Sequence, residues 1–323
     1  MRPSFRILAD QQDITDTIRD RLLSLRITDE AGNQPDTVEL QLDDRDAQIQ
    51  WPSHGAELEI SLGTAQNQLT RMGLYIIDDI EHSGPPNTIT IRGKAADMLA
   101  SIKAPKTRSW DGITLGALVQ TIAGEHGLSA KISEQLALIA IEHIDQSNES
   151  DLHLLTRLAR QHGAVSKPVA GFLVFVFKGE AKSATGQQLP LVEIPKHQIS
   201  RHRMTQAERG KYQSVKAYWH DNDTAEKQSV LVGDGDPVFA IRHTYNDAQE
   251  ATRAASAKLQ SLLRGTATLS LTLLGRPELQ AEGKLRIAGI RDPVDGEWVI
   301  NRVEHQLDSS GLQTRCDAEV PNN

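Results

Sequence analysis

The sequence predicts an α+β chain, mostly β, with strand-forming segments at both ends and helices between them. Three observations carry this. Alternating apolar and polar residues fill much of the first hundred positions. Two amphipathic stripes stand between Trp110 and Gly163. Alternation then returns from Val215 onward, interrupted by one long helix. With 323 residues the chain is long enough for two or three domains whose cores need no disulfide or metal.

Taken in order, Val38, Leu40 and Leu42 alternate with polar partners, as do Leu58, Ile60 and Leu62, then Ile89 and Ile91. Residues 74–80 form another strand, which carries Asp78 and Asp79. Ala31-Gly32-Asn33, His54-Gly55 and Ser83-Gly84-Pro85-Pro86 supply the turns. Short strands at this spacing predict a sandwich or barrel. Leu115, Leu118, Val119, Ile122 and Ala123 then share one helical stripe, capped by Asp111 or Thr114 and ended by Gly127. A second helix runs from about Ser150 to His162, with Leu152, Leu155 and Ala159 on one face and Gly163 as its stop. Phe172 to Phe177 is too short for a helix and reads as a buried strand, and residues 179–212 read as loose. Val215, Ala217 and Trp219 alternate, Gly233 to Pro237 turns, and 238–243 is a strand. A helix capped at Asn246 runs to Gly265. Leu269, Leu271 and Leu273 alternate, and 283–290, 297–307 and 311–320 close the chain as strands.

Composition narrows the function classes. Hydrophobic residues make up 38% and charged residues 24%, so the chain is neither disordered nor membrane-embedded. The longest apolar runs, 136–141 and 172–177, fall far short of the roughly 20 residues of a membrane span. The N-terminal apolar stretch stops at Asp10, too early for a signal peptide, so synthesis in the cytoplasm without a membrane anchor is expected. The single cysteine, Cys316, excludes an intrachain disulfide and a cysteine-based zinc site, and is read as an inert thiol in a strand. A net charge of -8 and 4% aromatics speak against sequence-specific nucleic-acid binding.

No motif supplies catalytic chemistry. His153 and His162 share a helix but lie two and a half turns apart, on opposite sides. Asp43, Asp44 and Asp46, and Asp78, Asp79 and Glu81, are the carboxylate clusters. Adjacent strand residues point to opposite faces, so Asp78 and Asp79 are expected to diverge. Gly233-Asp234-Gly235-Asp236-Pro237 lacks the spaced ligands of a calcium loop, and Asn148-Glu149-Ser150 is a sequon without a secretory signal. Arg201, Arg203, Arg209 and Lys211 form a short basic cluster with Glu208 inside it, read as a mobile surface segment. Catalytic, cofactor-binding and metal-ligating residues are therefore expected to be absent. Partner-binding residues are not identifiable by pattern.

A resemblance adds more. The run Glu149-Ser150-Asp151-Leu152-His153-Leu154-Leu155-Thr156-Arg157-Leu158-Ala159-Arg160-Gln161-His162-Gly163 resembles a helix shared by the late control D proteins of contractile phage tails and the type VI secretion spike proteins. Ser109 to Leu115, Gly73 to Glu81, Ile89 to Ala95, Thr244 to Ala251 and Gly296 to His305 are similar to that family in the same order, across nearly the whole chain. The resemblance implies a structural baseplate hub: two tube-like β-barrel domains, 1–104 and 191–323, flanking an α+β module at 105–190, with a helix at 246–264 inserted in the second barrel. It implies a homotrimer that joins a sixfold tail tube to a threefold spike, and so adapts one symmetry to the other. Its partners would be the spike protein, the tail tube protein, other baseplate proteins and the tape measure protein. No cofactor is implied, and the place of action is the virion after assembly in the host cytoplasm. The likeness covers the hub portion without a needle, which implies a separate spike. The competing expectations are a tail-associated cell-wall hydrolase and a late-gene transcription regulator.

Overall fold

The computed structural model describes residues 3–32, 34–64, 69–96, 100–169, 171–178, 189–206, 212–221, 224, 226–264 and 267–321. The first region comprises β1 (Pro3–Ala9), β2 (Gln12–Asp13), a single turn α1 (Thr15–Ile18), β3 (Leu22–Glu30), β4 (Thr37–Asp43), β5 (Glu57–Thr64), β6 (Thr70–Ser83) and β7 (Thr88–Ala95). The predicted alternation becomes alternate burial: Val38, Leu40 and Leu42 on β4 and Leu58, Ile60 and Leu62 on β5 all point into one core. A Cβ on Gly93 of β7 would stand 2.8 Å from the Ile76 carbonyl oxygen, so only glycine allows β6 and β7 to approach this closely.

The middle region holds β8 (Pro105–Thr114), α2 (Leu115–Glu125), β9 (Ser129–Ile132), α3 (Glu134–Ala137), β10 (Ala140–Ser150), α4 (Asp151–Gln161), β11 (Ala164–Val169) and β12 (Phe172–Phe177). Of the two caps offered for α2, Thr114 takes the role, accepting from the Ala117 N–H at 3.2 Å; Ser150, read as the start of the second helix, is its cap and accepts from the His153 N–H at 3.2 Å. Leu152, Leu154, Leu155 and Leu158 of α4 are buried with α2, Leu173 and Phe175. At about 1.5–3 kcal/mol for each buried leucine, this face outweighs the polar face of the helix.

The last region contains β13 (Leu191–Pro195), β14 (Ile199–Gln206), β15 (Ser214–Asp221), β16 (Glu226–Gly233), β17 (Val238–Tyr245), α5 (Ala248–Arg264), β18 (Ala267–Leu274), β19 (Lys284–Ala288), β20 (Gly296–Asp308) and β21 (Gly311–Glu319). Two readings are corrected here. The stretch taken as loose contains β13 and β14, and Arg201 and Arg203 lie exposed on β14, a sheet-edge strand and not a mobile segment. Arg209, Lys211 and Glu208 lie outside the described residues. The insertion is also larger than a helix: β15, β16 and β17 form their own sheet, packed against α5 around Val215, Ala217, Ala251 and Ala255. Helix α5 begins at Ala248, two residues inside the 246–264 read, and Asp247 takes the capping role given to Asn246, accepting from the Glu250 N–H at 2.7 Å while Glu250 accepts from the Asn246 N–H at 3.1 Å.

The fold is mostly β, and its main sheet curls into a half-barrel. Among the described residues that sheet runs β14-β18-β21-β20-β3-β4-β7-β6-β5-β1-β2 without a break. The two ends of the chain meet where β20 pairs antiparallel with β3, from Arg302 opposite Glu30 to Asp308 opposite Ser24. Two apolar cores lie along this one sheet. The first gathers β1 to β7 with Leu307 and Leu312; the second gathers Ile194, Leu269, Leu271, Leu285, Trp298, Ile300, Val303 and Cys316. Strand β20 therefore serves both cores.

Candidate functional site

Two polar clusters are built into the described fold. The first centres on Asp151, the opening residue of α4, whose side chain is fully buried. Strand β8 passes beside that helix start and sends up Lys106 and Arg108, which share a face because they are two residues apart. Lys106 Nζ donates to Asp151 Oδ2 at 2.6 Å and to Glu125 Oε2 at 2.7 Å. Arg108 Nη2 donates to Asp151 Oδ1 at 2.7 Å, and its Nη1 to Glu125 Oε1 at 2.6 Å. Gln146 on β10 donates through Nε2 to Asp151 Oδ1 at 2.8 Å, while its own oxygen accepts from Arg108 Nε at 2.8 Å and from the Trp110 indole at 3.3 Å. The Arg108 guanidinium lies 4.2 Å from the centre of the Trp110 ring. His126 completes the shell, 2.8 Å from Asp151 Oδ2 through Nε2 and 2.9 Å from Ser101 Oγ through Nδ1.

Burial alone would raise the Asp151 carboxyl. The bonds from Lys106, Gln146 and His126 and the charge of Arg108 outweigh it and hold the group at about 2. Glu125, His126 and Asp151 have ligand atoms close enough to surround one cation. The chemistry of the set argues against that use. Each Asp151 oxygen already has two donors, and a metal would stand beside both Lys106 and Arg108. The arrangement pins the start of α4 to β8 and β10.

The second cluster ties together all three regions. Lys167 on β11 donates to Asp36 at 2.6 Å, to Asp29 at 3.3 Å and to the Glu30 carbonyl at 2.8 Å. The other Asp29 oxygen accepts from the Ala281 N–H at 2.8 Å, between β18 and β19. Burial and then the Asp29 charge push the Asp36 carboxyl up to about 7, against the pull of Lys167. Burial opposes the Lys167 ammonium, but the two carboxylates outweigh it and raise its pKa.

The residues singled out by sequence fall apart into separate local roles. Asp46 accepts two hydrogen bonds from Arg21 at 2.7 and 2.6 Å, Asp43 pairs with Arg45, and buried Asp44 accepts from the Ile49 N–H at 3.2 Å, so these three stabilise a turn. The expected divergence of Asp78 and Asp79 fails. A bulge in β6 between Ile77 and Asp79 breaks the alternation, and both side chains lie exposed on one groove. They are not a free pair, since Asp78 is bound by Lys94, and Asp79 and Glu81 by Arg92 at 2.8 and 3.0 Å. His153 is exposed and His162 buried, on opposite sides of α4. Cys316 is buried, and burial pushes its thiol up to about 12. Sequence reasoning passed over Lys106, Arg108, Gln146, Asp29, Asp36 and Lys167. Of the first cluster only Asp151 stood in a recognisable motif.

Comparison with known proteins gives a consistent picture. A family described as "Phage tail baseplate hub (GPD)" matches residues 30–311. A probable baseplate hub protein of Escherichia phage 186 is 34% identical, over 99% of this chain and 93% of the relative. Among solved structures, the 43 kDa tail protein of prophage MuSo2 from Shewanella oneidensis superposes with a TM-score of 0.74 at 16% identity, covering 99% of this chain and 98% of that one. An E. coli type VI secretion component, described as similar to two T4 tail proteins, gives a TM-score of 0.59 at 12% identity, with 94% and 74% covered. These two structures share the fold.

Proposed function

Because the chain belongs to the phage tail baseplate hub (GPD) family, we propose that it works as a homotrimeric hub at the end of a contractile tail. Each copy contributes its two β regions, bordered near residues 104 and 191. Three copies then present six tube-like walls to the sixfold tail tube and three equivalent faces to the spike. Its contacts are the tail tube protein, the spike protein, neighbouring baseplate proteins and the tape measure protein. Assembly takes place in the host cytoplasm before incorporation in the virion.

The observation that carries this reading is the β20–β3 ladder. It fuses two separately cored β regions into one wall without a linker. A subunit with two such regions in fixed register is what a threefold object needs in order to meet a sixfold one. The role is read as non-enzymatic. Asp46, Asp78, Asp79, Glu81, Glu125 and Asp151 are all engaged by Arg or Lys, and Asp29 and Asp36, which do converge among the described residues, are bridged by Lys167, so neither set is free to act as acid and base. Native mass spectrometry of the chain co-expressed with its spike protein tests the assembly. Three copies per complex are expected, and two or six would overturn the proposal. Purified protein should show no turnover of peptidoglycan; robust turnover would overturn the non-enzymatic reading.

A further inference from the structure

An open groove of about 1390 Å³ lies between the α+β module and the insertion, and the ion-paired side chains of the two polar clusters are not among its lining. One wall is a face of α4: His153, Thr156, Arg157, Arg160 and Gln161 recur at helical spacing. The other is a face of α5, with Ala254, Ala257, Lys258 and Ser261. Between them runs β17. Six consecutive residues of this strand, Val238 to His243, line the groove. A strand presenting one face would contribute only every second residue, so the groove follows the strand's edge. Strand β17 is terminal in its sheet and pairs only with β15 among the described residues.

Two properties of this edge stand out. Natural edge strands are usually blunted by charge or proline. Strand β14, at one edge of the main sheet, follows that rule with exposed Arg201, His202 and Arg203 in its middle. Strand β17 instead begins Val238-Phe239-Ala240-Ile241, with no charge before Arg242. The groove is also cationic in a chain of net charge -8: Arg157, Arg160, Lys178, Arg242 and Lys258 line it, against one carboxylate, Glu149. Arg157 is already paired with Glu149 and Lys178 with Glu319. Arg160, Arg242 and Lys258 have no carboxylate partner among the described residues, and the first two are exposed.

We propose that this groove binds an extended acidic segment of a partner protein, which adds as a strand to β17 and sets its carboxylates against Arg160, Arg242 and Lys258. Strand addition satisfies the open N–H and C=O groups of the edge, and charge selects the segment. A nucleic-acid strand fits the same charge less well. It cannot complete a backbone ladder, and the Phe239 ring at the strand's edge is not free for stacking. Tyr212 packs edge-on to Phe239 at 5.1 Å, and the Lys258 ammonium lies 4.8 Å from the centre of the Phe239 ring, so this ring is already engaged.

The test uses the full chain and fluorescence anisotropy with three probes: a labelled Val-Glu octapeptide of alternating sequence, the same peptide N-methylated at alternate backbone nitrogens, and a dT12 oligonucleotide. The plain peptide should bind and the N-methylated one should bind at least tenfold more weakly. The double variant Arg160→Ser with Arg242→Ser should lose about tenfold in affinity for the plain peptide, with unchanged circular dichroism. Equal binding of both peptides, tighter binding of dT12, or no peptide binding at millimolar concentration would overturn the proposal. So would sedimentation showing that the double variant breaks up an oligomer formed by the parent, because the groove's occupant would then be a second copy.

Discussion

Replacing Asp151 by Asn removes one charge and almost no volume, so its effect isolates what the buried carboxylate contributes. The hold on the carboxyl at about 2, against an ordinary 3.8, corresponds to about 2.5 kcal/mol at 1.36 kcal/mol per pH unit. The folded-state value is depressed, so this contribution is complete above the unfolded value and is lost as pH falls through about 2. A second route gives a similar size. Removing one member of a buried ion pair costs about 3–5 kcal/mol. That figure needs lowering here, because Lys106 and Arg108 keep 31% and 25% of their side-chain exposure and Glu125 remains to pair with them. Asp151→Asn should therefore cost about 2–4 kcal/mol at pH 7. Urea unfolding of the full chain, read by tryptophan fluorescence and circular dichroism together, measures it. Trp110 reports locally, since its indole shares the Gln146 oxygen with Arg108. Glu125→Gln is the control: its side chain is 34% exposed at the rim, and its loss should cost less than about 1 kcal/mol. An Asp151→Asn variant within 0.5 kcal/mol of the parent, or one no worse than Glu125→Gln, would refute the keystone role.

Three further outcomes follow from the same geometry. Lys167→Met leaves Asp29 and Asp36 facing one another without their shared cation, and should cost about 3–5 kcal/mol in urea titration; adding Asp36→Asn should recover part of that loss. Burial and then the Arg253 charge lower the His162 imidazole to about 4, so its contribution is full above about 6.5 and fades as pH falls toward 4; His162→Gln should remove up to about 3 kcal/mol of acid sensitivity across that window, read as the difference between urea midpoints at pH 7 and pH 4.5. Cys316 should react with a thiol reagent at pH 8 only as fast as the second core opens, and its labelling rate should rise in urea alongside the loss of native circular dichroism; immediate labelling in native buffer would contradict its burial.

Much of the fold was legible because half-buried strands and amphipathic helices carry their environment in their period. Strands β4, β5, β18 and β21 and helices α2 and α4 fall into this class, and Thr114, Ser150, Gly127 and Gly163 mark the helix ends. What escaped lacked that period or depended on distant partners. Most of β14 is exposed on both faces, so it reads as a polar loop. Among the described residues strands β8 and β10 pair only with one another, and they bury few positions, so alternation fades. The bulge at Asp78 turns two carboxylates to one side, and nothing in a strictly alternating run announces it. The Asp151 cluster shows the same limit. The helix start is visible, but its cations come from a strand 43 and 45 residues earlier, and only tertiary pairing brings them together.

The join between the two β regions follows a similar logic, and it explains how one strand can serve two cores without merging them. Along β20, Val303, His305 and Leu307 share a face. Val303 lies in the second core and Leu307 in the first. His305 sits between them, completely buried, with Nδ1 3.0 Å from Thr314 and Nε2 3.2 Å from the Leu279 carbonyl. Burial lowers its pKa and favours the neutral ring, which needs one donor and one acceptor, and these two neighbours can satisfy both nitrogens. Asp29, opposite Val303 on β3, continues the polar line through its bond to Ala281 and its contact with Lys167. The seam is thus a row of satisfied polar groups crossing an uninterrupted hydrogen-bonded sheet. A flexible linker would let the two regions turn against each other under load. Here any such rotation must break backbone pairs between β3 and β20 and bare His305 and Thr314 at once. Leaving a buried polar group unsatisfied costs about 1–3 kcal/mol, so turning the two regions against each other is opposed by these side chains as well as by the ladder, as the proposed hub role would require.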